Sequence, residues 1–272
     1  MPNMNEPWQT VPINFWEDFD QELRLLKGRD WLFRGQSNAD WTLKTSLDRL
    51  FADMQPIIES AKGSTRRFAE KAHESLLIKS FQTNANLYLN FLPNQKNKLE
   101  WLAIMQHYGA PTRLFDVTFS PHIATYFALE AGSGECCIFA FNQAAIKKVN
   151  QETMNAKNYR SLKPKIFTSP DTFLIVFEPE NGNERLVVQQ GVFLVPSKID
   201  QPFHDILGNY ALFLNEPICK KFVIAPHLRF EGVERLRKMN ITSATLFPGI
   251  DGYCKSLRFQ ILETTQSQMA LD

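Results

Sequence analysis

Apolar residues recur at helical spacing near the start of the chain. Four of them fall on one face of a predicted first helix: Trp16, Phe19, Leu23 and Leu26. Asn14 is available as the N-cap of this helix, and Gly28 follows its end. A longer alternation of apolar and polar residues over positions 66–89 predicts one or two further helices that cover a core.

The segment 98–108 has the clearest helical pattern. Its apolar residues recur at i, i+3, i+4 and i+7: Trp101, Ile104, Met105 and Tyr108. Gly109 ends the predicted helix, because glycine readily adopts the left-handed conformation that closes many helices. Gln106 and His107 are therefore expected in its last turn.

A strand, a turn and a helix are predicted directly after this segment. Pro111 takes the chain out of the helical region, and residues 112–117 are partly β-branched, as is typical of a short strand. Ser120 and Pro121 then predict the N-cap and the first residue of a helix with an apolar face.

Further strands are predicted from apolar content at residues 30–33, 134–141, 173–177, 192–195 and 219–225. A helix is predicted over residues 226–238, and a last helical stretch follows Asp251. Because helices collect early and strands later, the pattern favours an α+β fold, with the helices of the N-terminal half packed on a mixed or antiparallel sheet. Residues 1–272 contain no clear linker or repeat, so one domain is predicted, with the sequence motifs at about 20–260.

Residues 143–171 form a basic, weakly patterned segment. Six basic residues stand against two acidic ones there: Lys147, Lys148, Lys157, Arg160, Lys163 and Lys165, with Glu152 and Asp171. Two interpretations are open, a contact with phosphate or an acidic partner and a solvated excursion of the chain.

Composition limits the class of protein more than its function. The 272 residues are 44% hydrophobic and 22% charged, which suits one substantial core, and 30 basic against 29 acidic residues give a net charge of +1. This balance does not indicate nucleic acid as a partner. The four cysteines have neither zinc-site spacing nor the density of a disulfide scaffold, and no apolar run is long enough to span a bilayer. We therefore expect a cytoplasmic protein with no metal ion and no membrane contact.

Polar side chains interrupt apolar sequence at two places about seventy residues apart. The first is WLFRGQ at 31–36, and the second is QHYGAPTRLFDVTFSPHIATYFA at 106–128. Polar groups among buried apolar residues need partners or a ligand. We interpret the two segments as parts of one polar site.

These segments resemble the FRG-domain family. The resemblance rests on an ordered set of motifs: Phe33-Arg34-Gly35-Gln36, Leu47-Asp48-Arg49, the run at 106–118, Ser120-Pro121 and Tyr126-Phe127-Ala128. Two later motifs resemble the family as well: Glu184-Arg185 with Gln189-Gln190-Gly191-x-Phe193, and Leu246-Phe247-Pro248-x-x-Asp251-Gly252. Membership alone implies little about activity.

Two charged residues of these motifs have both a functional and a structural interpretation. Arg34, at a strand end beside Gly35, is suited to bidentate contact with phosphate or carboxylate, or else forms an ion pair with Asp48 or Asp116. Asp116 is costly to bury unpaired, so Arg34 or Arg113 is its expected partner. Alternatively, Asp116 acts as a base or stabilises a developing positive charge.

The remaining polar residues of the two segments are candidate ligand contacts. Gln36 adds a neutral donor and acceptor beside the arginine. Thr118 and Ser120 face the positive end of the helix that Ser120 caps, a position that favours an anion. His107 has two interpretations, proton transfer and stabilisation by the helix dipole, whereas Tyr108 is expected in the core or in the wall of the site.

The order of these parts is also similar, more distantly, to the arginine–serine–glutamate pattern of ADP-ribosyltransferases. This resemblance implies that the chain has an ADP-ribosyltransferase-like fold and that the protein uses NAD as substrate. It implies that Arg34 holds the NAD diphosphate or ribose and that Thr118 or Ser120 supports the nicotinamide ribose. Gln190 falls where the family has a glutamate that bonds the ribose 2′-hydroxyl and stabilises an oxocarbenium-like transition state.

The glutamine departs from that pattern, because it supplies no negative charge to a developing cation unless Glu184 or Asp116 does so. The resemblance leaves three candidate catalytic residues: Arg34, Asp116 and Gln190. The candidate nucleotide contacts are Arg34, Gln36, His107, Tyr108, Arg113, Thr118 and Ser120.

Two functional hypotheses follow. The first is an ADP-ribosyltransferase-like protein that binds NAD and transfers ADP-ribose to an unknown macromolecular target or cleaves the glycosidic bond, as a toxin or phage-defence effector. The second is a non-catalytic module that binds a nucleotide or phosphorylated ligand. A nuclease is disfavoured, because the sequence lacks the spacing of a metal-binding acid cluster or a histidine pair.

Overall fold

The computed structural model describes residues 6–26, 30–62, 70–154, 159–180 and 182–257. The strands are β1 (Trp8–Ile13), β2 (Trp31–Gln36), β3 (Phe115–Thr118), β4 (Cys136–Asn142), β5 (Leu174–Phe177), β6 (Gly191–Pro196) and β7 (Cys219–Ile224). The α-helices are α1 (Trp16–Leu25), α2 (Ser46–Lys62), α3 (Glu70–Asn84), α4 (Lys98–His107), α5 (Pro121–Leu129), α6 (Gln143–Thr153), α7 (Glu184–Val188), α8 (Phe203–Leu214), α9 (Arg229–Lys238) and α10 (Ser243–Leu246). Short 3₁₀ helices cover Ala85–Leu87, Tyr159–Lys165 and Pro226–Leu228, and residues 250–257 are helical.

The strands form one sheet in the order β1-β7-β4-β2-β3-β6-β5. Strands β1 and β7 are parallel, and the other neighbours are antiparallel. The predicted α+β class with a mixed sheet in a single domain is confirmed. The helices are not confined to the first half of the chain, because α6 to α10 follow β4.

The sheet is buried on both faces because side chains alternate along each strand. In β2, Leu32 joins the core that contains Phe115 and Phe139, whereas Phe33 joins the core on the opposite face with Ile123 and Ile138. Arg34 follows the alternation onto the first face and so reaches the edge of that core. The sequence predicted Arg34 at a strand end, but β2 continues to Gln36.

Gly35 allows α5 to lie directly on β2. A Cβ at this position would lie 1.9 Å from the carbonyl oxygen of Ala124 and 2.6 Å from the backbone nitrogen of Ala128. Both atoms belong to helix backbone, which cannot move aside as a flexible side chain can. The glycine therefore sets the spacing between the helix and the strand that carries Arg34.

We expect Gly35→Ala to lower the free energy of unfolding by about 1–3 kcal/mol, the usual cost of overpacking a tight contact. Denaturant titration measures the change. Gly134→Ala is the matched control, because a Cβ at Gly134 would meet nothing within 4 Å. Equal stability of the Gly35 variant and the unchanged protein would contradict this account of the contact.

Local signals predicted several elements. Helix α4 covers the predicted segment with Gln106 and His107 in its last turn, and Gly109 has a left-handed φ of 81°. The first helix is also present, but its N-cap is Phe15 rather than Asn14, and Gly28 lies outside the described residues.

Other elements depart from the prediction. Most of the basic segment 143–171 is helical, in α6 and the 3₁₀ helix at Tyr159–Lys165. Ile146, Val149, Leu162 and Ile166 are buried, so the described part of the segment is not a solvated excursion, and the contact with phosphate or an acidic partner stays a prediction. Of the helical pattern at 66–89, residues 66–69 lie outside the described part, and α3 confirms most of the rest. The sequence patterns did not indicate β1, which contains Pro12 and lies at the sheet edge, where a missing N–H is tolerated.

Across the described ranges, no helix has both the length and the apolar character needed to cross a membrane.

Candidate functional site

A cleft opens where β2 and β3 separate. In the described residues these strands pair at one position, Phe33 with Thr118, whereas β2 pairs with β4 and β3 pairs with β6 along their lengths. The cleft has a volume of about 750 Å³. Its walls carry residues from β2, β3, β6, α2, α4, α5 and α7 and from the segment between β2 and α2.

Arg34 lies on the wall of the cleft and bridges the two strands. Its Nη1 donates to the backbone oxygen of Asp116 at 2.8 Å, and its guanidinium lies 4.4 Å from the ring centroid of Phe115. The Nε atom is buried without a hydrogen-bond partner among the described residues. Burial lowers the pKa of Arg34 from its ordinary value, and Asp116 opposes this shift. Because arginine stays protonated in proteins, Arg34 presents a fixed cation with an unused donor.

Asp116 lies in the cleft with a largely exposed carboxylate, so the expectation that it is buried is wrong. Its side chain is 58% exposed, and its Oδ2 lies 3.7 Å from Arg34 Nη1. Gln106 Nε2 donates to the same oxygen at 2.8 Å. The other residue considered as a partner for Arg34, Asp48, instead accepts from the backbone nitrogen of Thr45 at 2.7 Å.

Positive charge dominates the cleft. Four cationic side chains line it: Arg34, Lys44, Arg49 and Arg185. Asp116 is the one carboxylate in that lining, as far as the described residues extend. Such a charge balance attracts anions, and the partly enclosed shape concentrates the field.

The cations come from separate segments of the chain. Arg49 is close enough to Arg34 to lower its pKa, and Arg49 Nη1 donates to the backbone oxygen of Lys44 at 3.0 Å. Arg185 belongs to α7, and its guanidinium lies 4.5 Å from the ring centroid of Phe247.

An exposed aromatic side chain lies at the same site. Trp41 lines the cleft and is 57% exposed. A free indole face is a surface on which a nucleotide base can stack. Phe127 and Phe193 add apolar wall.

His107 lines the cleft, but Tyr108 does not. Burial and, second, the positive charge of Arg185 lower the pKa of His107 below its ordinary value. Its imidazole is therefore neutral at neutral pH and offers one donor and one acceptor. Tyr108 is 62% exposed and packs edge-on against the His107 ring, so the expected core or wall position is wrong.

The hydroxyls of Thr118 and Ser120 both already have hydrogen-bond partners within the protein. Thr118 lines the cleft, yet its Oγ1 donates to the backbone oxygen of Gln189 at 2.7 Å and accepts from the Ser120 nitrogen at 3.0 Å. Ser120 lies outside the lining, and its Oγ accepts from the Ile123 nitrogen as the predicted N-cap of α5. Gln36 is in the lining, and its Oε1 accepts from the Cys137 thiol.

Arg113 points away from the cleft into the core. It is 2% exposed and forms a bidentate pair with the buried carboxylate of Glu74. Its Nη1 also donates to three backbone carbonyls: Ile166, Pro196 and Ser197. We therefore remove Arg113 from the candidate ligand contacts and from the partners of Asp116, and assign it a structural role.

Of the two glutamines before β6, Gln189 lines the cleft and Gln190 does not. Gln190 has a left-handed φ of 46° and an exposed side chain, so it forms the turn into β6. Gln189 Nε2 donates to the backbone oxygen of Leu246 at 2.9 Å. The equivalence of Gln190 with a catalytic glutamate therefore has no support from its position.

The comparison with protein families bears on this arrangement. Residues 29–135 match the FRG-domain family model. This FRG match covers less than half of the chain but supports the resemblance found in the sequence. It includes Arg34, Gln106 and Asp116 of the cleft lining, whereas Arg185 and Gln189 of the same lining lie beyond it. A search of curated proteins and a search of solved structures found no match.

The sequence patterns gave no role to several residues of the cleft. Trp41 and Lys44 lie in an irregular segment after β2, where no local periodicity marks them, and Arg49 belongs to the motif Leu47-Asp48-Arg49 at the start of α2 but was given no role. Gln106 was recognised as part of a motif, but its contact with Asp116 depends on how α4 packs beside β3.

In the described ranges, no group of three or more His, Cys, Asp or Glu side chains is arranged to hold a metal ion.

Proposed function

We propose that the cleft binds a dinucleotide of the NAD type and that the protein is an ADP-ribosyltransferase-like enzyme, which transfers ADP-ribose or cleaves the nicotinamide–ribose bond. The observation that supports this most is Arg34, a fixed cation with an unpartnered buried Nε on the wall of an electropositive cleft. A diphosphate would supply the acceptors that this guanidinium lacks.

The residues of the cleft fit such a ligand. Its volume of about 750 Å³ lies within the range of about 300–1,000 Å³ that is usual for small-molecule sites. In the proposed arrangement, Arg34 and Arg49 bind the diphosphate and Trp41 stacks on the adenine. Asp116 is the carboxylate available beside the reacting ribose.

The chemistry assigned to Asp116 is electrostatic. When the bond from ribose C1′ to the nicotinamide nitrogen breaks, its electron pair leaves with nicotinamide and positive charge develops on the ribose. The Asp116 carboxylate stabilises that charge in the partly enclosed cleft. Water or a nucleophile of the target then adds to C1′ and loses a proton, which completes hydrolysis or transfer.

A second candidate is a nucleotide-binding module without catalysis. Gln189 favours this candidate. It lines the cleft just before β6 and is a neutral amide, which supplies no negative charge to a developing cation. Under this candidate the cations bind the ligand as proposed, but NAD is not consumed. Release of nicotinamide from NAD by the purified protein distinguishes the two candidates.

We expect Arg34→Ala to weaken the binding of ADP by about 10–100-fold, because a charge-assisted hydrogen bond contributes about 1.5–3 kcal/mol. Isothermal titration calorimetry measures the affinity. Arg24→Ala is the control, since Arg24 is exposed on α1 and does not line the cleft. Unchanged affinity in the Arg34 variant would remove the guanidinium from the diphosphate site.

We propose that the protein acts in a reducing cytoplasm, in keeping with its free thiols at Cys136, Cys137, Cys219 and Cys254. A role as a toxin or phage-defence effector stays a prediction, and incubation with labelled NAD and cell extract tests whether a macromolecule is modified.

A further inference from the structure

A chain of hydrogen bonds leads from the loop before β3 to Asp116. The backbone nitrogen of Leu114 donates to Thr112 Oγ1 at 3.1 Å, and Thr112 Oγ1 donates to Gln106 Oε1 at 2.6 Å. Gln106 Nε2 then donates to Asp116 Oδ2 at 2.8 Å. Along this chain each group donates to the next one, from the Leu114 nitrogen to the Asp116 carboxylate.

The surroundings determine which way the Gln106 amide points. Thr112 Oγ1 accepts from a backbone N–H, so its own proton is free to bind the amide oxygen. Ser46 Oγ also lies 3.3 Å from that oxygen. The amide NH₂ group therefore faces the carboxylate, whereas the reversed amide would set two acceptor oxygens against each other.

The same contacts leave one oxygen of Asp116 available. Gln106 and Arg34 both approach Oδ2, at 2.8 Å and 3.7 Å. Within the described part of the chain, Oδ1 has no hydrogen-bond partner, and the side chain is 58% exposed. The carboxylate is thus fixed at one oxygen and open at the other.

We propose that Gln106 is a positioning residue that orients Asp116 so that Oδ1 accepts a hydrogen bond from a hydroxyl of the second ribose, the one that ADP-ribose has and ADP lacks. This inference rests on the proposed function and adds the substrate group that Asp116 recognises. Gln106 itself does not touch the ligand in this arrangement. Its effect passes entirely through the carboxylate.

Binding of ADP-ribose and of ADP tests the proposal, because ADP lacks the second ribose. We expect the unchanged protein to bind ADP-ribose about 10-fold more tightly than ADP, as a hydrogen bond to a charged group allows. Gln106→Met keeps the side-chain length but removes the amide, so this preference should fall to about 2-fold or less while ADP affinity is retained. Asp116→Asn should remove the preference as well.

The double variant Gln106→Met/Asp116→Asn decides whether the two residues act as one unit. If Gln106 acts through Asp116, the double variant binds ADP-ribose no more weakly than Asp116→Asn alone. Additive losses, or an unchanged ADP-ribose preference in Gln106→Met, would overturn the positioning role. Failure of the unchanged protein to bind either nucleotide would overturn the proposed function itself, and with it this inference.

Two further variants separate orientation from a general structural loss. Thr112→Val removes the hydroxyl that fixes the Gln106 amide and should reduce the preference for ADP-ribose over ADP. Thr112→Ser keeps the hydroxyl, so this preference should be retained. Gln21→Met, on the exposed face of α1, is the control for a glutamine-to-methionine change. A Thr112→Ser variant with the same loss as Thr112→Val would contradict the proposed relay.

Discussion

Replacing Arg113 with methionine is expected to lower the free energy of unfolding by about 3–5 kcal/mol, because it leaves the carboxylate of Glu74 buried without its partner. Both residues are almost fully buried, at 2% and 4% exposure, and Arg113 Nε donates to Glu74 Oε1 at 2.6 Å. The same guanidinium lies 4.8 Å from the Phe167 ring centroid and donates to carbonyls at the end of β6. The loss would therefore loosen contacts between α3, the segment before β3 and β6. Urea titration measures it.

The double variant Arg113→Met/Glu74→Leu is the informative comparison. Removing both charges avoids the unpaired buried carboxylate, so part of the lost stability should return, although the carbonyls that Arg113 bound would still lack a donor. Two results would contradict this account: a single variant as stable as the unchanged protein, or a double variant less stable than either single one.

Asp116→Asn is expected to reduce the rate of nicotinamide release from NAD by about 100–1,000-fold, the usual effect of removing one preorganised electrostatic contact. The change removes the negative charge while keeping the size of the side chain. Binding of ADP should change little, because ADP lacks the ribose that Asp116 contacts in the proposed arrangement. Single-turnover kinetics, together with calorimetry on ADP, separates the two effects.

Asp53→Asn serves as the control for this charge change, since Asp53 is exposed on α2 and lies outside the cleft lining. Undiminished nicotinamide release by Asp116→Asn would show that another group stabilises the developing charge. If the unchanged protein binds ADP-ribose but releases no nicotinamide from NAD, the binding-module candidate replaces the enzyme.

Local chemistry in the sequence predicted the parts of the fold that depend on neighbouring residues. The N-cap at Ser120 and the left-handed Gly109 need only a few residues on either side, and both are present. Helix α2 was not predicted, and it contains Pro56, which is unusual within a helix. Strand β1 was also missed, because its pairing with β7 joins residues about two hundred positions apart.

The candidate site was predictable only in part for the same reason. The sequence offered Asp116 as one of two candidate partners of Arg34, and Arg34 Nη1 does lie 3.7 Å from Asp116 Oδ2. The partner of Arg113 is Glu74, 39 residues earlier on a helix whose register the sequence did not reveal. For Gln189 and Gln190, a left-handed turn at the second residue decides which one lines the cleft, and polar type alone cannot indicate that turn.

A crystal structure of the protein with ADP-ribose would show directly which groups Arg34 and Asp116 bind. We expect the diphosphate against the guanidinium of Arg34, with an oxygen accepting from Nε, and a ribose hydroxyl within hydrogen-bond distance of Asp116 Oδ1. Well-ordered ADP-ribose elsewhere on the protein, with Arg34 still bound to Asp116 alone, would contradict it.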